Sequence, residues 1–115
     1  MAGEFCPRFQ RAIELVGRRW TGPILRALLA GEHRFHELLA TIPGLSDRLL
    51  SERLRELEEQ AIVERSVDPG PPLRVSYRIT AKGRELSDAF CALATWAEKW
   101  IELEGAQPPV AVKLR

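Results

Sequence analysis

The hydrophobic period of the chain changes once between residues 34 and 79, and this change limits the folds open to it. Up to about residue 60 the apolar residues recur at helical spacing, and a tight turn at Ile42-Pro43-Gly44 interrupts them. Residues 62–67 then read as a strand, and from Leu73 to Ile79 apolar and polar residues alternate, which is the period of a half-buried strand. The order is therefore a short helix, a turn, a second helix and then β-structure.

Four helices are predicted before the strands. The first begins at Cys6-Pro7, because proline suits the first turn of a helix, and it ends at Gly17. The second covers about residues 21–30 and the third about residues 34–41. Ser46 is a good N-cap for the fourth helix, which carries its leucines inward and runs to about residue 60.

A β-hairpin and a last helix complete the prediction. The strands cover about residues 62–67 and 73–79, and the proline-rich loop of residues 68–72 can continue neither a strand nor a helix. Thr80 caps one long helix that reaches about Leu103. We expect a mainly α fold with a small hairpin, in one domain of residues 1–104, followed by a flexible tail of residues 105–115.

Composition fits one small globular domain. The 115 residues are 45% hydrophobic and 29% charged, which allows a single modest core. We find no membrane-spanning run and no signal peptide, so a cytoplasmic protein with free Cys6 and Cys91 is expected. The sequence contains neither a phosphate loop nor a nucleophile elbow, so we expect neither an enzyme nor a cofactor. His33 and His36 are too few ligands to predict a metal site.

The helix, turn and helix followed directly by a hairpin are typical of a winged helix-turn-helix, which binds double-stranded DNA. The start of the fourth helix would then lie in the major groove. Candidate DNA contacts are the outward polar residues of this helix and the arginines of the hairpin: Ser46, Asp47, Arg48, Ser51, Glu52, Arg55, Arg65, Arg74 and Arg78.

Individual roles follow from side-chain chemistry. Arg48 can bind a guanine with two hydrogen bonds, whereas Glu52 can accept from cytosine or pair with a neighbouring arginine. The hairpin arginines suit phosphates or the minor groove, although each arginine also fits a solvated surface. Seventeen basic and sixteen acidic residues give a net charge of +1, so a DNA-binding face would depend on how charge is distributed. The acidic end of the helix, at Glu56, Glu58 and Glu59, should point away from DNA.

The last helix carries an apolar face wider than one small domain can cover. A second copy related by a two-fold axis is the simplest cover, and it would place two recognition helices about 34 Å apart. The expected interface residues are Phe9, Ile13, Phe90, Leu93, Trp96 and Trp100. The alternative is that the last helix folds back on its own domain.

Cys6 lies at a helix N-terminus, where the backbone N–H groups favour the thiolate, and Arg8 adds positive charge nearby. Such a thiol is readily oxidised or alkylated. Cys6 is therefore a candidate sensor of a small electrophile or oxidant, and the alternative is a small packing or capping residue. Cys91 is expected to be an inert packing residue.

Residues 6–100 resemble the HxlR-type transcriptional regulators, winged-helix proteins related to the MarR regulators. The matching segments are Cys6-Pro7, Gly17-Arg18-Arg19-Trp20, Arg34-Phe35-His36-Glu37-Leu38, Ile42-Pro43-Gly44-Leu45-Ser46, Leu54-Arg55-Glu56-Leu57-Glu58, Pro71-Pro72, Arg74-Val75, Tyr77 and Thr80-Ala81-Lys82-Gly83. The resemblance implies a homodimer that binds a palindromic operator, and several members sense oxidants or electrophiles through a cysteine at the position of Cys6.

The chain also departs from the family pattern. Arg19 and Ala61 replace a usual lysine and a usual glycine. Leu73 is an apparent insertion after the double proline, and Ser76 replaces a usual acid, so the length and charge of the wing are open. The alternative function is a winged-helix module that binds another protein and no DNA.

Overall fold

The computed structural model describes residues 3–103, so the predicted tail of residues 105–115 lies outside the described residues. In chain order the elements are α1 (Pro7–Val16), α2 (Thr21–Ala30), β1 (His33–Arg34), α3 (Phe35–Thr41), α4 (Asp47–Glu59), β2 (Val63–Asp68), β3 (Arg74–Ile79), α5 (Ala81–Arg84) and α6 (Ser87–Trp100). The prediction of a mainly α winged helix-turn-helix with a small hairpin is confirmed.

Side-chain caps explain where two of the helices begin. The Cys6 thiol accepts a hydrogen bond from the backbone N–H of Phe9 at 3.4 Å, at the start of α1. The Ser46 hydroxyl accepts from the backbone N–H of Leu49 at 3.2 Å, at the start of α4. Each cap satisfies an N–H group that has no partner within its helix. Both predicted helix starts are confirmed.

The three strands form an antiparallel sheet in the order β1-β3-β2. The hairpin pairs Val63 with Ile79 at its base and Asp68 with Arg74 at its far end. The sequence did not predict β1, because a two-residue strand is too short to show a period. β1 exists through its pairing with β3, which places His33 opposite Tyr77.

The predicted single helix from Thr80 to Leu103 is wrong, because the structure divides it into α5 and α6 and ends α6 at Trp100. Gly83 explains the first of these differences. A Cβ on Gly83 would lie 2.5 Å from Ile79 Cγ1 and 2.6 Å from the Ile62 carbonyl oxygen. The α5 helix is thus pressed onto the base of the hairpin, and the chain must turn before α6 can pack on the core.

The core lies between α2, α3, α4 and the sheet, with one contribution from α6. That contribution is Phe90, which is only 9% exposed. Phe90, which was expected at an interface between copies, thus packs in the core of its own domain. α1 buries none of its residues, so it lies at the margin of the fold.

A tight turn joins α4 to β2 and sets the direction of the hairpin. The N–H of Ile62 bonds to the Leu57 carbonyl, and that of Ala61 bonds to the Glu58 carbonyl, both at 2.9 Å. This is the Schellman arrangement, in which the residue after the cap adopts the left-handed region and is usually glycine. Ala61 occupies that position with φ of 58°.

The residues that follow the hairpin also bind this turn. The Thr80 hydroxyl donates to the Ala61 carbonyl at 2.6 Å. The Lys82 ammonium donates to the Gln60 carbonyl at 2.5 Å. The hairpin, which forms the wing, is thus held relative to α4 by the turn before β2 and by Thr80 and Lys82 after β3.

Candidate nucleic-acid interface

The helix α4 has two distinct faces. Its inner face buries Leu50, Leu54 and Leu57, which are at most 1% exposed. The predicted contacts of the early outer face are exposed, except for Glu52, which is half-buried; they are Ser46, Asp47, Arg48, Ser51, Glu52 and Arg55. The structure thus brings the six predicted residues together on the outer face of α4, from its N-cap Ser46 to Arg55.

Two arginines on this face differ in their partners. Arg48 Nε lies 3.8 Å from Glu52 Oε1, and the Arg48 side chain is 87% exposed. An ion pair so exposed contributes little, so Arg48 can exchange Glu52 for another acceptor. Within residues 3–103, Arg55 has no ion pair. Both guanidinium groups are thus available at this surface.

The hairpin separates the three arginines that the sequence analysis considered together. Side chains alternate between the faces of a strand, and residues directly opposite share a face. Arg74 and Arg78 therefore lie on one face of β3, whereas Arg65 pairs with Tyr77 and lies on the other. Only Arg65 shares the face that packs on the helices.

Arg78 is occupied by a neighbouring carboxylate. Its Nε donates to Glu64 Oε1 at 2.7 Å, and its Nη2 lies 2.5 Å from the same oxygen. The hydrogen bond and the charge of Glu64 raise the pKa of Arg78. Glu64 therefore neutralises much of the positive charge that Arg78 would offer to a phosphate.

A polar groove of about 540 Å³ runs along the outer face of the sheet. Both signs of charge line it, and the Ser76 hydroxyl donates to the Glu32 carboxylate across it. The backbone N–H of Arg34 donates to Glu37 Oε1 at 2.7 Å and lowers the pKa of that carboxyl. The residues that line the groove are Glu32, His33, Arg34, Glu37, Ser66, Asp68, Arg74, Ser76 and Arg78. The mixed charges make this face less suited to a polyanion than the α4 surface.

The buried Arg53 ties α4 to the turn between α1 and α2, and the sequence analysis missed it. Arg53 is 7% exposed, and its Nε donates to the Arg19 carbonyl at 2.9 Å. Its Nη1 lies 3.3 Å from Glu56 Oε2, which also lies 2.8 Å from Arg18 Nη1. The spacing of Arg53 three residues after Leu50 placed it on the inner face, so it could have been found.

The turn between α1 and α2 also contacts the turn that precedes α4. Trp20 adopts a left-handed φ of 80°, and the Arg19 guanidinium lies 5.1 Å from the centre of its ring. A Cβ on Gly44, in the turn before α4, would lie 3.1 Å from the Trp20 ring. Thus α4 and the turn that precedes it are both held by residues 18–20.

An apolar surface remains uncovered on α1 and α6. Phe9 and Ile13 on α1 are 65% and 47% exposed. On α6, Leu93 and Trp100 are each 63% exposed, and Trp96 is 54% exposed. These five residues are the part of the predicted interface that the domain itself leaves in water.

Cys6 is exposed at the N-terminus of α1, with Phe9 three residues further on. Cys91 is half-buried on α6. A search of residues 3–103 finds no group of three potential metal-ligating side chains. None of the helices in this range is long and apolar enough to cross a membrane.

Comparison with known proteins agrees with this geometry. A family model described as HxlR-like helix-turn-helix matches residues 15–105. The transcriptional regulator YodB of Bacillus subtilis is 42% identical over 102 residues, covering 89% of this chain and 91% of YodB. YvaP of the same organism, named an uncharacterized HTH-type transcriptional regulator, is 43% identical over 99 residues, covering 86% of this chain and 92% of YvaP.

Solved structures give the same assignment. The reduced form of YodB superposes with a TM-score of 0.77 at 42% identity, covering 86% of this chain and 97% of YodB. YodB has also been solved treated with diamide and bound to a quinone, with TM-scores of 0.72 and 0.73. The redox regulator HypR in its oxidised form gives 0.80 at 31% identity, covering 85% of this chain and 100% of HypR. This chain therefore belongs to the HxlR-like helix-turn-helix family of transcriptional regulators.

Proposed function

We propose that this chain regulates transcription as a homodimer that binds a palindromic operator and responds to oxidants or electrophiles through Cys6. The observation that carries the DNA-binding part is the exposed outer face of α4, from its N-terminal end to Arg55. Ser46 caps it, its leucines anchor it, and Arg48 and Arg55 lie free enough to reach bases or phosphates. A recognition helix enters the major groove with this end.

The uncovered face of α1 and α6 supports a two-fold dimer. Five large side chains that are about half exposed or more are unfavourable in water, and a self-complementary contact would bury them. A dimer would also double the number of phosphate contacts. A domain with a net charge of only +1 needs that second set of contacts to hold an operator.

The exposed thiol of Cys6 supports sensing. The sulfur lies at the positive end of α1. The thiol can add to a quinone carbon, which gives a thioether-linked hydroquinone, or it can join a second thiol in a disulfide while the oxidant takes up two electrons and two protons. Phe9 follows one turn later on the proposed dimer surface, so a bulky adduct at Cys6 would disturb that contact. The diamide-treated and quinone-bound forms of its relative YodB support the choice of effector.

The test begins with selection of a binding duplex from a random library by the full chain. Titration of the selected duplex should then show loss of affinity after treatment with a quinone, and Cys6→Ser should keep its affinity under the same treatment. Cys91→Ser serves as the matched control and should respond as the parent does. Equal release from DNA by the parent and Cys6→Ser would exclude Cys6 as the sensor.

A module that binds another protein and no DNA is the second candidate. The discriminating observation is the dependence of duplex binding on salt. For a dimer that neutralises phosphates, the logarithm of the affinity should fall linearly with the logarithm of the salt concentration, because counterions are released. Absence of any selected duplex would favour the protein-binding module.

A further inference from the structure

The wing tip, which we define as residues 67–75, is apolar where a hairpin end in water is normally polar. Val67 and Leu73 are 46% and 66% exposed, and the three prolines of the loop are exposed as well. Val67 lies opposite Val75, at the end of the hairpin away from the buried pair Val63 and Ile79. The core therefore does not account for this apolar surface.

Three prolines restrict the backbone of the wing tip, and two arginines lie in it or near it. Proline fixes φ, so the loop presents Leu73 with little ordering cost. Arg74 lies within the tip and Arg65 lies two residues before it, and in the described part of the chain neither forms an ion pair. Asp68 accepts a hydrogen bond from the Gly70 N–H at 3.3 Å, so its carboxylate is engaged with its own loop.

We propose that Leu73 and Val67 form an apolar wedge that enters the DNA minor groove and selects deformable base steps there. Apolar side chains placed in the minor groove partly unstack a step and bend the duplex. Pyrimidine–purine steps such as TA and CA unstack most easily, so a wedge favours them without reading a base edge. The guanidinium groups of Arg65 and Arg74 match the phosphates on either side of the groove.

This inference rests on the proposed function, because it requires α4 to dock in the adjacent major groove. It adds a second source of specificity at positions that α4 does not contact. Sequence preference beside the half-sites is therefore assigned to the exposed Leu73.

The test compares duplexes selected from a random library by the parent, Leu73→Ser and Leu73→Met. The parent and Leu73→Met should enrich TA or CA steps beside each half-site, whereas Leu73→Ser should enrich the same half-sites with no flanking preference. On the parent's duplex, Leu73→Ser should bind about tenfold more weakly. Fluorescence transfer between the duplex ends should show less bending by this variant.

Several results would overturn the wedge. One is a Leu73→Ser variant with the parent's flanking preference, affinity and bend. Another is a Leu73→Ser variant that binds and bends DNA like the parent but no longer regulates transcription like the parent. That result would make the tip a contact to another protein. If the parent selects no duplex, DNA binding itself fails, and that result is distinct from a loss confined to the flanking steps.

Discussion

Ala61 holds a backbone conformation that suits glycine better. Its φ of 58° follows from the turn that ends α4, in which the N–H groups of Ala61 and Ile62 cap the helix. A residue with a Cβ loses about 1–2 kcal/mol in this region. The turn nevertheless forms because Thr80 and Lys82 bind its carbonyls and the buried Ile62 anchors it.

Ala61→Gly should raise the free energy of unfolding by about 0.5–1 kcal/mol, since relief of strain exceeds the added flexibility of the unfolded chain. Urea unfolding measures this change. Ala40→Gly, in helix α3, is the matched control and should lower the same free energy, because glycine weakens a helix. A less stable Ala61→Gly variant would contradict this account of the turn.

Glu56 is the shared acceptor of Arg18 and the buried Arg53. Glu56→Gln should lower the free energy of unfolding by about 1–2 kcal/mol, because a buried guanidinium loses its charged acceptor. Glu59→Gln, on the exposed end of the same helix, should change it by less than about 0.5 kcal/mol. Equal unfolding midpoints for the two variants would show that Glu56 has no structural role.

Among the helices and strands, the sequence predicted those features that depend on neighbouring residues in the chain. Proline at the start of α1 and serine before α4 placed those helices correctly, and the alternation from Leu73 to Ile79 placed the second strand of the hairpin. The break between α5 and α6 was not predictable in this way. It depends on the close packing of Gly83 against two residues outside α5. Ile62 is distant along the chain, and Ile79 belongs to β3.

The same limit applied to the candidate site. The outward positions of α4 follow from its leucine spacing, so the exposure of these side chains could be predicted, apart from the half-buried Glu52. Sequence could not show that Arg78 pairs with Glu64, because that contact depends on the register of the hairpin. Nor could it show that Phe90 is covered by its own domain, because the position of α6 depends on the break before it.

The wing arginines should differ in their contribution to DNA binding. Arg74→Gln should reduce the slope of log affinity against log salt by about 1, because a phosphate contact is lost. Arg78→Gln should change the slope much less, since Glu64 already neutralises that guanidinium. Fluorescence titration of the selected duplex at several salt concentrations measures both. A larger effect of Arg78→Gln would mean that Glu64 releases it on binding.

For the molecule as a whole, the proposed operator binding requires a second copy of the chain. Trp96→Asp puts a charge at the centre of the uncovered α6 face and should shift the chain from a dimer to a monomer of 13.0 kDa. Val67→Asp, on the wing, should remain dimeric. Sedimentation equilibrium distinguishes the two masses. A dimeric Trp96→Asp would place the interface elsewhere.

In the proposed complex, two copies of α4 read two half-sites on one face of the duplex. Hydroxyl-radical footprinting of the selected duplex measures this arrangement. We expect two protected stretches whose centres lie about one helical turn, or 10–10.5 base pairs, apart, and loss of both in Trp96→Asp at the same concentration. A single protected stretch, or a footprint that Trp96→Asp leaves unchanged, would contradict it.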